Sequence, residues 1–399
     1  MEGLQKIFHV KYDICDVIKC ENIYESAKRR KVQKLNYRGQ VSKLKRGIFN
    51  SLKSTDWEGV ENAKRKLEYY KRTRKLRVSK KKLTTSNKRV VFSAPISINY
   101  YNDRDFEIMN KFLNNLRDCV LKNNRVYIDF SSTKYISAAA MLSFLAEVDV
   151  LIKKSEFGVN AIGFSHPKDK KIESILNQVG FYDLLRKPKR ETESYDDVTF
   201  WKYTSGSCSE PLLAKEMMVE IKKELERKSS KKLYRGFTEA MSNSVEHAYV
   251  DDLMHTEDDE TAKWWTFAGI HDKNLTVVIC DKGVGIPSTL PKTQGVSVLM
   301  NIFKKLRVPL ANVKDSTYIK ASTLLQETRT GELNRGKGLN DIKSVIDSIG
   351  DGFMGIFSSK GRYIYKGKTG IINEVLRDYK SSVNGTIIEW TIPCEVETE

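Results

Sequence analysis

From Arg89 onward, short apolar runs alternate with amphipathic stretches, and that alternation restricts the chain to sheets covered by helices. RVVFSAPISINYY reads as extended chain, DFEIMNKFLNNLRDCVLKN as an amphipathic helix, and RVYIDF at 125–130 as a buried strand. A helix over 138–154, a strand at VNAIGF (159–164) and a helix through KKIESILNQVGFYDLL follow. The polar segment at 186–210 is a connection. Pro211 then opens the helix LLAKEMMVEIKKEL. After it come strands TFAGIHD and NLTVVICD, a helix-rich middle, a helix from about Leu339 to Ile349, and strands GFMGIFS, RYIYKGK and TIIEWTIP. Strands in direct succession suit antiparallel pairing against helices, an α/β sandwich.

The net charge of +18 is concentrated before this pattern begins. Residues 21–90 hold 23 Lys or Arg against 6 Asp or Glu, whereas the rest of the chain holds 46 against 45. Helical spacing persists in the basic part: Val41, Leu44, Ile48 and Leu52, then Val60, Ala63, Leu67 and Tyr70, recur every three or four residues. Thr55-Asp56-Trp57-Glu58 resembles a capping box between the two. A basic helical arm over 1–88 is therefore expected. Its surface reads either as a solvated charged face or as an electrostatic footprint for nucleic acid through residues 21–90. An anionic membrane surface is a third class of partner.

No run of about 18 or more apolar residues occurs, so no membrane span is expected. The first residues lack the apolar core of a secretion signal, and a cytoplasmic protein is the expectation. Cys15, Cys20, Cys119, Cys208, Cys280 and Cys394 form no C-x-x-C pair and read as free thiols.

Chemistry concentrates in the second half. In GFTEAMSNSVEHAY, residues 236–249, Glu239, Asn243 and His247 stand four apart on one helical stripe. Phe237, Met241 and Val245 supply an apolar face beside it. The strand NLTVVICD ends in Asp281, and Gly283 and Gly285 follow as D-x-G-x-G. A carboxylate there can accept from an exocyclic amine, and the glycines let backbone approach a ring or a phosphate. In RGKGL, Arg335, Gly336, Lys337 and Gly338 precede a helix whose N-terminus favours anions. Thr386 opens the last strand. Each piece alone has an ordinary structural explanation: a solvated face, a tight turn, a helix cap, a strand start.

Taken in this order, the four pieces resemble the N, G1, G2 and final G-T boxes of the GHKL ATPase superfamily, over about residues 210–394. The wording is most similar to the anti-sigma factor serine kinase branch. The resemblance implies a Bergerat-type α/β sandwich at 210–399 binding ATP and Mg²⁺. It implies that Asn243 holds the metal and that Glu239 is the general base. Asp281 would read the adenine amine, with Thr386 nearby through a water. Gly283 and Gly285 would shape the adenine pocket. Gly336 and Gly338 would hold phosphates, to which Arg335 and Lys337 add positive charge. His247 stays open between touching phosphate, holding a lid and supporting a neighbour. Residues 286–335 are long enough for a mobile lid hinged near Gly331.

Residues 89–188 resemble a STAS domain through RVYIDF, SSTKYISAAAML, VNAIGF and NQVGFYDLL, with 189–209 as linker. STAS antagonists carry an Asp-Ser pair before the helix, the serine being the phosphoacceptor. Here Ser137 and Ala138 stand there, so the acceptor hydroxyl is missing from its usual place; Ser137 either substitutes for it or, as expected, serves as a helix N-cap.

Three functions follow as expectations. The first couples ATP binding or hydrolysis to regulation of a protein partner, a STAS or sigma-type regulator among the candidates, with homodimerisation left open. The second is a serine/threonine protein kinase of anti-sigma type. The third is a nucleic-acid-associated regulator with ATP as allosteric ligand. A histidine kinase is disfavoured, because His9 and His166, the histidines upstream of 239, lie on no dimerising helix pattern.

Overall fold

The computed structural model describes residues 66, 89–195, 198–200, 203–207, 214–225, 227–249, 263–325 and 338–394. The expected basic arm lies almost wholly outside them, as do Arg335, Gly336, Lys337 and Gly331. Residues 86–399 form one compact unit of mixed α/β structure.

Its first part holds β1 (Val90–Ser93), β2 (Ser97–Ile98), α1 (Asp103–Leu121), β3 (Val126–Asp129), β4 (Tyr135–Ile136), α2 (Ala138–Lys154), β5 (Ile162–Ser165), α3 (Lys170–Gln178) and α4 (Phe181–Leu184). Strands β1, β3 and β5 make a parallel sheet in that order, and β2 pairs with β4, also in parallel. Helix α1 starts where Asn102 accepts the amides of Arg104 and Asp105, with two aspartates in the first turn facing the positive end of the helix dipole.

The second part holds β6 (Val198–Phe200), β7 (Thr204–Gly206), α5 (Lys215–Glu224), α6 (Arg227–His247), β8 (Trp264–His271), β9 (Asn274–Asp281), α7 (Ile286–Thr293), α8 (Val296–Lys305), α9 (Asp315–Ser322), α10 (Gly338–Ile349), β10 (Gly352–Ser358), β11 (Gly361–Lys368), β12 (Ile371–Asp378) and β13 (Thr386–Pro393). The strands form an antiparallel sheet of order β12-β11-β10-β13-β9-β8-β6, with β7 also on β8. The expected connection at 189–209 thus contributes β6 and β7. Between β8 and β9 the two-residue turn Asp272-Lys273 has both φ angles positive, the twist a tight hairpin needs.

Period-two alternation sends each central strand's side chains to two different cores. Trp264, Ala268, Leu275, Val277, Ile279, Ile388 and Trp390 pack with Leu233, Phe237 and Met241 of α6 and with Ile342, Val345 and Ile346 of α10. Trp265, Phe267, Val278, Cys280, Phe357 and Ile387 face the other way and join the core of the first part. Helix α2 lies against β9, β13 and β8 on that side. Its residues from Ala139 to Ile152 are all buried. A helix with no solvent face is apolar on most sides, and this is why AAAMLSFLAEVDVLI is the most apolar stretch of the chain despite its buried Ser143, Glu147 and Asp149.

The first forty residues of the segment expected as a lid, 286–325, are largely helical, as expected of a helix-rich middle, and enclose a small core of Leu290, Leu299, Ile302, Phe303 and Ala321. Helix α9 is tied to the sheet edge: Asp378 accepts both the Ser316 amide and its hydroxyl, and Asp315 accepts the Lys360 amide. Among the described residues, no helix is long and apolar enough to cross a membrane. Cys119 and Cys280 are free thiols.

Candidate functional site

Helix α6 lies with Leu233, Phe237 and Met241 in the core, which turns the stripe of Glu239, Asn243 and His247 to its half-buried side. The Asn243 amide nitrogen donates to Glu239 Oε1 at 3.5 Å, so the carbonyl oxygen of Asn243 is the atom left for another partner. One residue on, Ser244 is buried; its hydroxyl donates to the Ala240 carbonyl at 3.0 Å, and it helps to hold the Asp281 carboxyl down.

Asp281 ends β9 and is 5% exposed. Its Oδ1 accepts the amide of Gly283 at 2.9 Å and the amide of Thr386 at 3.1 Å. Burial pushes its carboxyl up to about 6, against the pull of those two amides, of the Lys282 charge and of Ser244. The loop after β9 and the start of β13 therefore meet at one carboxylate, although Asp281 and Thr386 are 105 positions apart.

The glycines of this loop answer to protein contacts. A Cβ on Gly283 would stand 2.0 Å from the Ala248 carbonyl oxygen just past α6, and that carbonyl accepts the Val284 amide. Gly285 has φ +85°, and a Cβ there would crowd Ser359 and Ser358 Oγ at 2.7 and 2.9 Å. Ser358 Oγ in turn accepts the Ile286 amide and lies 2.9 Å from Thr386 Oγ1. The loop is thereby pressed onto the end of α6 on one side and onto β10 on the other.

Gly338 opens α10 as expected, and α10 runs alongside α6. Arg335, Gly336 and Lys337 lie outside the described residues. Among those described, no group of three or more His, Cys, Asp or Glu could hold a metal ion. His166 bonds Glu173 and stacks on Tyr182, an ordinary structural role.

Several residues of the site carry no local signal. Tyr249 donates to the Lys263 carbonyl and accepts the Lys282 amide. Gly385, at φ +123°, would put a Cβ 2.2 Å from the Asp281 carbonyl. Lys282 reaches to the other side of the sheet, where its ammonium donates to Ser143 Oγ at 2.9 Å. Only the G-T dipeptide before the last strand could have pointed to any of these.

At the other end of α2, Ser137 occupies the N-cap position but makes no capping hydrogen bond, and its hydroxyl is buried without a partner. Glu389 of β13 takes the duty instead. Comparison of the chain with protein-family models, with curated proteins and with solved structures gave no match.

Proposed function

We propose that residues 210–399 are a Bergerat-type ATP-binding domain of the GHKL kind, that residues 89–188 are a STAS-like module docked on it, and that the protein couples binding or hydrolysis of Mg-ATP to the control of a protein partner. The observation that carries this reading is the Asp281 carboxylate, which collects the Gly283 and Thr386 amides beneath the helix bearing Glu239 and Asn243.

In this reading Asp281 accepts the exocyclic amine of adenine through Oδ2, because Oδ1 already holds two amides. Burial favours such a role: a hydrogen bond to a desolvated carboxylate is stronger than one in water. Asn243 fits a magnesium ion, since its nitrogen is engaged with Glu239 and its oxygen is a hard donor. Bound magnesium supplies charge neutralisation at the phosphates. Glu239 orients and deprotonates the attacking hydroxyl or water, one helical turn from Asn243.

The burial of Ser137, which is 6% exposed, favours hydrolysis or transfer to a separate protein over phosphorylation of the docked module. Helix α2 packs on the sheet face opposite α6, so the old acceptor position and the polar stripe are on different sides. A kinase acting on a separate protein, and a nucleic-acid-associated regulator using the basic arm, remain the alternative proposals.

Calorimetric titration of ATP with magnesium tests the reading. Wild type should bind and Asp281→Ala should not. No heat with wild type, or equal affinity in the variant, would sink it.

A further inference from the structure

We propose that Lys282 is a positioning residue through which the docked helix α2 sets the affinity of the nucleotide site. The inference rests on the nucleotide reading of Asp281 and adds its regulation.

Lys282 is the residue between Asp281 and Gly283. By strand alternation, Cys280 and Lys282 point towards α2 while Asp281 points towards α6. The Lys282 side chain is 4% exposed. Its ammonium donates to Ser143 Oγ at 2.9 Å and lies 3.7 Å from Glu147 Oε2. Both partners belong to α2. Ser143 continues to the Tyr100 hydroxyl at 3.2 Å, and Tyr100 donates to Asn110 of α1. Glu147, 1% exposed, is also held by Arg117 of α1 through two hydrogen bonds of 2.8 and 2.5 Å. The backbone of Lys282 is fixed from the opposite side: its amide donates at 3.0 Å to the Tyr249 hydroxyl, two residues beyond α6. One residue thus joins the helix with the polar stripe, the loop with the carboxylate and the helices of the docked module.

A buried ammonium is tolerated only while hydrogen-bonded and paired. Burial pulls the Lys282 ammonium towards losing its proton, and Glu147 opposes this. Among the described residues its side-chain partners are supplied by α2, so a shift of α2 withdraws the anchor of the peptide that follows Asp281. The Gly283 amide that holds Oδ1 is the next group along. Linkage makes the effect reciprocal: whatever orders the Asp281 loop also favours the docked position of α2.

The test uses the full chain with Lys282→Met and Ser143→Ala. Methionine keeps the volume and leaves Glu147 paired with Arg117. Ser143→Ala removes one hydroxyl and serves where the first variant folds poorly. Titration with ATP and with adenosine should show affinity about tenfold lower for both ligands in each variant. The double variant should lose less than the product of the two. Amide hydrogen exchange at Lys282–Val284 should quicken in ligand-free protein. Affinities within twofold of wild type in both variants, with unchanged exchange, would overturn the proposal. If wild type itself binds no ATP, the nucleotide reading has failed by its own measurement. The exchange rates then decide alone whether α2 holds the loop.

Discussion

Glu389 closes the N-terminus of α2: its Oε2 accepts the Ala139 amide at 2.9 Å, across 250 positions of sequence. The carboxylate sits in the middle of β13, 3% exposed, with the Tyr101 hydroxyl beside it and Thr391 donating to its other oxygen. The helix dipole and the amide favour the charged form. Burial outweighs them and pushes the carboxyl up to about 7.

That position has a pH signature. The folded carboxyl titrates above its unfolded counterpart, so the stability it contributes is complete below the ordinary glutamate range. It is then lost as pH rises through about 7. Above that, the buried charge costs on the order of 3 kcal/mol. Glu389→Gln keeps a carbonyl for Ala139 and removes the charge. Urea unfolding from pH 5 to pH 8 should show the variant gaining on wild type across that range. Asp281 titrates in both proteins and drops out of the difference. Parallel curves would refute the assignment.

Asp281 predicts a second pH dependence, this time in binding. A carboxylate accepts the adenine amine better than a carboxylic acid does. Affinity for ATP should therefore weaken as pH falls through about 6, approaching tenfold per unit below it. Asp281→Asn should bind more weakly with a flatter profile. Calorimetry at pH 5, 6, 7 and 8 reads both.

On the proposed nucleotide role, the polar stripe should separate binding from turnover. Glu239→Ala should leave the dissociation constant for Mg-ATP within a few-fold of wild type, while turnover drops by about 10²- to 10⁴-fold. Asn243→Ala should weaken magnesium-dependent binding and turnover together. Phosphate release beside calorimetry distinguishes them, and equal turnover in Glu239→Ala would remove it as the base.

Two glycines with positive φ should behave differently. At Gly385 an added methyl meets the Asp281 carbonyl at 2.2 Å, so Gly385→Ala should cost about 3 kcal/mol or more. Gly370, φ +79°, has no atom within 4 Å of that point, and Gly370→Ala should cost only about 1 kcal/mol of backbone strain. Urea midpoints compare the two directly.

What could be read from sequence follows from range. The helix at 138–154 and the strands GFMGIFS and TIIEWTIP have the expected bounds, because periodicity and apolar runs mark them locally. IINEVLRD carries no such mark. It is the edge strand β12, mostly exposed on both faces, so no alternation marks it. The strand at VNAIGF begins only at Ile162, after a 3-10 turn over Gly158–Ala161. The Asp281, Asn243 and Thr386 boxes were legible as residue types at strand and helix ends. Tyr249, Ser358, Gly385 and Lys282 were not, because their importance comes from partners far away in the chain. The docking of the two parts was also unannounced, although the strongly apolar run at 138–152, interrupted by Ser143, Glu147 and Asp149, was its trace.

Helix α2 belongs to two folds at once. Its residues share one core with the parallel sheet and with the antiparallel sheet, so neither half can change the surface it offers without the other's consent. Cutting the chain between them would strand a helix with no wet side: whichever half kept it would present bare hydrocarbon to water.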